Sequence, residues 1–182
     1  MKRLLSIIGA ISLVGTSTTS LVACNTPQEY TPKELAKLKE ENKVNTKNKE
    51  IRDNLEWIAQ QEKPFNTVDN KWYYVIWRGK KPGNKNDNWK IIKFKHFELK
   101  NGKEFDKVIF DNANWTRLEL RNDFGNYFDL YIRYLAHLGL IPLSWRQDKG
   151  GNFIKSVYRW NLDTEKPDLI IDNAGNVKVN GE

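Results

Sequence analysis

The alternation of apolar and polar positions predicts strands in the middle of the chain. Residues 72–77 form a continuous run of aromatic and β-branched side chains, which is typical of a buried strand. Residues 79–88 carry a Pro-Gly turn signal, and residues 89–99 resume a strand-like pattern. Together these segments predict a long antiparallel hairpin.

Shorter segments of the same kind follow it. Leu118 and Leu120 alternate with Arg117, Glu119 and Arg121, so one face of that segment is expected to be buried and the other solvated. Turn signals separate the segments, among them an Asn-Gly pair at residues 101–102. The further predicted strands span residues 104–110, 116–121, 153–162, 169–172 and 176–179.

A helical spacing interrupts the strands at about residues 124–138. Its apolar side chains recur at intervals of three and four residues, which predicts an amphipathic helix; they are Phe124, Phe128, Tyr131, Leu135 and Leu138. Asp123 suits the N-cap, and Gly139 suits a left-handed C-terminal cap. Strands surrounding one helix indicate the α+β class, with an antiparallel sheet that carries this helix on one face.

The segment before the strands is polar and prone to form helices. Thr31 and Glu34 have the spacing of a capping box, but few large apolar residues follow, so residues 24–46 are interpreted as a solvated helical tether. A weak coiled coil is the alternative. Better apolar spacing predicts a docking helix over residues 47–63, and residues 47–182 are then a single α+β domain.

The first 24 residues have the pattern of a bacterial export signal. Lys2 and Arg3 precede an apolar run over residues 4–14, which is shorter than the roughly 20 residues that a spanning helix needs. The tetrapeptide Leu-Val-Ala-Cys at residues 21–24 then predicts cleavage after residue 23 and lipid attachment to Cys24. The alternative is an ordinary secretory signal in which Cys24 is incidental.

Residues 1–25 resemble the signal of spiroplasma surface lipoproteins, the mollicute group that includes spiralin. The resemblance implies a diacylglyceryl group, with palmitate-type acyl chains, on Cys24 and a place on the outer face of the cell membrane. Two acyl chains anchor a protein stably without a spanning helix. The resemblance ends at residue 25 and implies no other functional residue.

Charge is the second informative feature. The formal net charge is +7, and residues 71–107, here named the basic hairpin, hold 11 lysines and arginines against 4 acidic residues. Cations interleaved with aromatic rings are typical of surfaces that bind polyanions. The candidate polyanion-binding residues are Arg78, Lys80, Lys81, Lys85, Lys90, Lys93, Lys95, Trp77 and Trp89.

Two alternatives explain the same hairpin. Its aromatic residues can form a core face while its lysines keep an edge strand from pairing, or its cations can face anionic lipid head groups. The expected partners are therefore the membrane, through Cys24, and acidic polymers, host surface molecules or lipid head groups.

Signals of catalysis are weak. Cys24 is the single cysteine, so disulfides and thiolate metal sites are excluded, and no cofactor or metal is expected. A hydrolase or nuclease site could combine His96 or His137 with a carboxylate such as Asp111 or Asp129, but no catalytic motif surrounds them. The leading hypothesis is a non-enzymatic interaction or adhesion module; a surface nuclease or hydrolase is the alternative, and a solute-binding lipoprotein is a weaker one.

Overall fold

The computed structural model describes residues 29–79, 87–96, 107–113, 116–123, 127–136 and 139–182. These residues contain two short helices and three antiparallel sheets, which confirms the α+β class. The helices are α1 (Pro32–Glu41) and α2 (Lys49–Asn54). The strands are β1 (Leu55–Ile58), β2 (Trp72–Trp77), β3 (Lys90–Lys95), β4 (Lys107–Ala113), β5 (Thr116–Asp123), β6 (Tyr127–Ala136), β7 (Gly139–Ser144), β8 (Ile154–Trp160), β9 (Leu169–Ile171) and β10 (Val177–Val179).

The first sheet has the strand order β1-β8-β2-β3. Its β2 and β3 pair in antiparallel register from Trp72 opposite Lys95 to Trp77 opposite Lys90, which confirms the predicted hairpin. The late strand β8 lies between β1 and β2, so the centre of this sheet joins segments that are distant in sequence.

The second sheet is a meander of β4, β5, β6 and β7. Leu118 and Leu120 of β5 are buried in the core as the alternation predicts. Glu119, on the opposite face, is also fully buried, and its carboxylate lies 3.8 Å from the Arg133 guanidinium. The prediction that this face is solvated is therefore wrong at Glu119.

The predicted helix at 124–138 is wrong in its described part, because those residues form β6. Residues 124–126 and 137–138 lie outside the described residues. The segment is rich in aromatic residues, and a period of two also runs through it, with Leu130 and Ile132 buried in the core. Pairing with β5 on one side and β7 on the other selects the strand. The local sequence pattern shows neither of these partners, so it did not distinguish a strand from a helix.

Two clusters of buried side chains lie on opposite faces of the first sheet. One cluster joins Val75 and Trp77 of β2 to Leu118 and Ile132 of the second sheet. The other joins the first sheet to α2 and to the C-terminal hairpin of β9 and β10. Because both faces of β2 are covered, its sequence is a continuous apolar run.

The N-terminal segment differs from the predicted tether and docking helix. The capping box of Thr31 and Glu34 is confirmed at the start of α1. However, α2 ends at Asn54, and the rest of the predicted helix 47–63 is divided between β1, which pairs with β8, and a 3-10 turn at Gln60–Glu62. The described part of the tether, residues 29–46, packs on the domain, where Val44 is 4% exposed. Within the parts of the chain that the structure describes, no helix is long and apolar enough to cross a bilayer.

Candidate functional site

The central aromatic residues of the basic hairpin belong to the core. Trp77 is 0% exposed and packs between the two four-stranded sheets, and its β2 neighbours Tyr73 and Tyr74 are equally buried on opposite faces. A buried indole cannot stack on an external base or sugar. The prediction that Trp77 binds polyanions is therefore wrong, because both faces of its strand are covered.

Trp89 is a packing residue at the edge of the second cluster. The guanidinium of Arg78 lies 4.2 Å from the centre of its ring. A Cβ atom on Gly175 would come within 2.7 Å of its Cγ, so the turn before β10 presses directly on the indole. The ring is thus occupied by groups of the protein itself, which weakens its predicted role in stacking on a ligand.

Three of the predicted lysines, Lys90, Lys93 and Lys95, lie on β3, the edge strand of the first sheet. Lys93 and Lys95 are exposed, and Lys90 is partly buried. Exposed lysines on an edge strand oppose pairing with another chain, which favours the edge-protection interpretation. The other predicted residues, which are Cys24, Lys80, Lys81 and Lys85, lie outside the described residues.

His96 is a buried residue of the core. It is 3% exposed, and its ring contacts the rings of Phe65 and Tyr73 at centroid distances of 5.6 and 5.9 Å. Burial lowers the pKa of His96 and outweighs the opposing effect of the Asp69 carboxylate. In this environment the imidazole is neutral at physiological pH and is shielded from external substrates.

The carboxylate beside His96 is Asp69, which the sequence analysis did not consider. Its Oδ1 lies 3.5 Å from His96 Nδ1, and its Oδ2 accepts a hydrogen bond of 2.8 Å from the Tyr73 hydroxyl. Asp111 and Asp129, the predicted carboxylates, lie on the second sheet. His137 lies outside the described residues, so its predicted role stays a prediction.

A pocket of about 330 Å³ forms where the first sheet is incomplete. Strand β1 ends at Ile58, opposite Val157, so residues 154–156 at the start of β8 extend beyond the last β1 pair. The chain leaves β1 through a 3-10 turn at Gln60–Glu62. The space left beside β8 is the pocket, and the sequence analysis identified none of its residues as a site.

The wall opposite β1 is a loop organised by one buried carboxylate. Asp148 is 2% exposed and accepts hydrogen bonds from the backbone N–H groups of Asn152, Phe153 and Ile154 at 3.0, 2.9 and 2.7 Å. The loop needs a left-handed backbone at Gly151, where φ is +65° and a Cβ would lie 3.2 Å from the Ile154 oxygen. These constraints preform the wall without a ligand.

Two glutamines of the 3-10 turn, Gln60 and Gln61, connect it to the other segments that line the pocket. Gln60 donates to the backbone oxygen of Trp145 at 2.7 Å. Gln61 exchanges two hydrogen bonds with the backbone N–H and C=O of Tyr30. The pocket is thereby lined by three aromatic residues from distant segments, namely Tyr30, Trp57 and Trp145.

The charged lining of the pocket is mainly positive. Arg146, Lys149 and Lys155 line it together with a single carboxylate, Asp148, whose oxygens are already bonded to backbone N–H groups. Lys149 is exposed. The Lys155 ammonium is held in place by hydrogen bonds to the Ala174 oxygen at 2.6 Å and the Asn176 side chain at 2.8 Å. The Arg146 guanidinium lies 3.5 Å from the Asp129 carboxylate, so part of its charge is balanced within the protein. Basic residues around a concave aromatic surface suit an anionic ligand with a polar or cyclic body.

The residues that line the pocket include no histidine and no cysteine. Elsewhere in the described ranges, no group of three or more histidines and acidic residues is arranged to hold a metal ion. The signals that could have identified the pocket are the Asp-Lys-Gly-Gly turn at 148–151 and the isolated Trp57. Nothing in the sequence places these two features together.

No protein-family model, no curated protein and no solved structure matches this chain. Function is therefore inferred from the chemistry of these residues.

Proposed function

We propose that the protein is a lipid-anchored cell-surface protein whose domain is a non-enzymatic binding module for acidic molecules. The anchor is the diacylglyceryl thioether at Cys24 that the sequence indicates. The observation that carries the binding function is the pocket beside β8, whose lining combines three aromatic residues with three basic residues.

The size and lining of the pocket support this function. Its volume of about 330 Å³ is at the lower end of the range for small-ligand sites, roughly 300–1,000 Å³. Trp57 and Tyr30 offer aromatic surface to the body of a ligand, and the exposed Lys149 offers a cation to its anionic group. Because the Asp148 loop and the glutamine contacts preform the walls, binding has a small ordering cost.

The surface nuclease or hydrolase alternative gains no support from the described residues. His96 is buried away from the pocket lining, and Asp148 is fully engaged in holding its loop. The adhesion hypothesis still includes the attraction of acidic molecules, since basic residues line the pocket and the β3 edge. It loses the stacking role of Trp77.

Calorimetric titration tests this proposal. Glycerol 3-phosphate and glucuronate are the anionic probes, and glycerol and glucose are their neutral counterparts. Only the anions should bind, and Lys149→Glu should weaken their binding about tenfold, which corresponds to roughly 1.4 kcal/mol. Lys47→Glu, the same charge change at an exposed lysine outside the pocket, is the matched control and should leave affinity unchanged. Absence of anion binding at low ionic strength would refute the proposal.

A further inference from the structure

We infer that the ligand of the pocket is the phosphate-bearing head group of an anionic lipid in the membrane that carries the protein. This inference rests on the proposed function and identifies the source of its acidic ligand. It follows from the way in which the N-terminal segment is docked, because that segment both leads from Cys24 and forms a wall of the pocket.

The N-terminal segment is fixed to the domain at several points. Tyr30 makes two backbone hydrogen bonds to Gln61, beside the pocket. In the last turn of α1, the Lys39 ammonium contacts the carboxylates of both Glu56 and Glu62. Further along, Val44 is buried in the cluster that contains α2. Residues 30–44 are therefore part of the folded domain and add no free length between it and the anchor.

The remaining length sets how far the pocket can lie from the bilayer. Tyr30 is six residues after Cys24 in the sequence. Six residues span at most about 20 Å when fully extended, at roughly 3.3–3.6 Å per residue. A free tether reaching to residue 46 would allow about 70 Å instead. Since Tyr30 lines the pocket, one wall of the pocket is confined to within about 20 Å of the lipid-bearing sulfur.

The chemistry of the lining matches that position. Tryptophan and tyrosine are favoured at membrane interfaces, where one end of the ring system is apolar and the other is wet. Arg146, Lys149 and Lys155 supply the cations that attract anionic head groups. The anchor holds the pocket beside a dense layer of such groups, so even a weak site is occupied through a high effective concentration.

A soluble phosphate ester offers the same chemistry as a lipid head group, so the experiment must separate the two sources. The protein used is the mature chain, residues 24–182 with Cys24→Ser, which retains every described residue but carries no lipid. Flotation with vesicles of phosphatidylcholine is compared with flotation using vesicles that also contain phosphatidylglycerol. Soluble glycerol 3-phosphate is then added as a competitor.

The protein should float only with the vesicles that contain phosphatidylglycerol. Lys149→Glu should weaken this binding about tenfold, and glycerol 3-phosphate should compete for it. Lys47→Glu, which alters net charge equally, should have little effect. Equal weakening by both variants, or no competition by glycerol 3-phosphate, would show general surface attraction and overturn the inference. Binding of glycerol 3-phosphate without vesicle binding would overturn the inference and leave the proposed function standing; binding of neither probe would refute both.

Discussion

Replacing Asp148 with asparagine should destabilise the fold and loosen the pocket. The carboxylate is 2% exposed, and its oxygens accept three backbone N–H groups, those of Asn152, Phe153 and Ile154. These bonds hold the loop that forms one wall of the pocket. The substitution preserves shape and removes only the charge and one acceptor atom.

The magnitude follows from the bonds that asparagine can keep. Its amide oxygen can replace Oδ2, which serves Phe153 and Ile154, but its NH₂ group then faces the Asn152 N–H, donor against donor. Hydrogen bonds to a charged group contribute about 1.5–3 kcal/mol each, against about 0.5–1.5 kcal/mol for neutral ones. Losing one such bond and weakening two by about 1 kcal/mol each gives an expected cost of about 3.5–5 kcal/mol. This is a large part of the 5–15 kcal/mol that stabilises a typical domain.

Urea denaturation followed by tryptophan fluorescence measures this cost, since Trp145 adjoins the loop. The control is Asp163→Asn, whose side chain is 92% exposed and forms an ion pair with Lys71. That change should cost less than about 0.5 kcal/mol. If Asp148→Asn is no more costly than Asp163→Asn, the carboxylate does not organise the loop and the reasoning fails. Binding of glycerol 3-phosphate should weaken in Asp148→Asn and not in Asp163→Asn.

Two further predictions concern His96 and Cys24. Burial lowers the pKa of His96 below its usual value near 6.5, so the unfolded state binds the proton more readily than the folded state. The free energy of unfolding should therefore fall as pH decreases below about 6.5. The fall is at most about 1.4 kcal/mol per pH unit. His96→Phe should reduce the dependence of unfolding free energy on pH above about pH 4.5. Below that pH, carboxylates with lowered pKa values, such as Glu56, also contribute to the dependence. Equal dependence in both proteins would contradict the role assigned to His96. Cys24→Ala should abolish incorporation of radiolabelled palmitate, and label that persists in this variant would contradict lipidation at Cys24.

Local patterns predicted much of the first sheet. The run at β2, the turn region and the resumed strand at β3 form the expected hairpin, and the capping box begins α1 as its spacing indicates. The C-terminal hairpin of β9 and β10 also follows its turn signal, with Gly175 in a left-handed conformation. In each case the interacting segments are neighbours along the chain and are joined by a single turn region or belong to one helix.

The failures arose where distant segments decide the structure. The apolar residues of β6 satisfy both a helical period and a period of two, and only pairing with β5 and β7 selects the strand. In the same way β1 becomes a strand because the edge of β8, about 100 residues later, is available to it. Local propensity is a weak guide when tertiary pairing supplies more hydrogen bonds and burial than a short helix can.

The sequence by itself determined the α+β class and the excess of positive charge, and it predicts an export signal that ends at the single cysteine. Only the tertiary structure decided which aromatic residues are core, as at Trp77, and which line a surface, as at Trp57. It also decided that the N-terminal segment is docked and that β8 extends beyond β1, which together create the pocket. The physical reason is that composition and the spacing of apolar residues can be read along the sequence. Burial and cavities depend on which helices and strands meet in space.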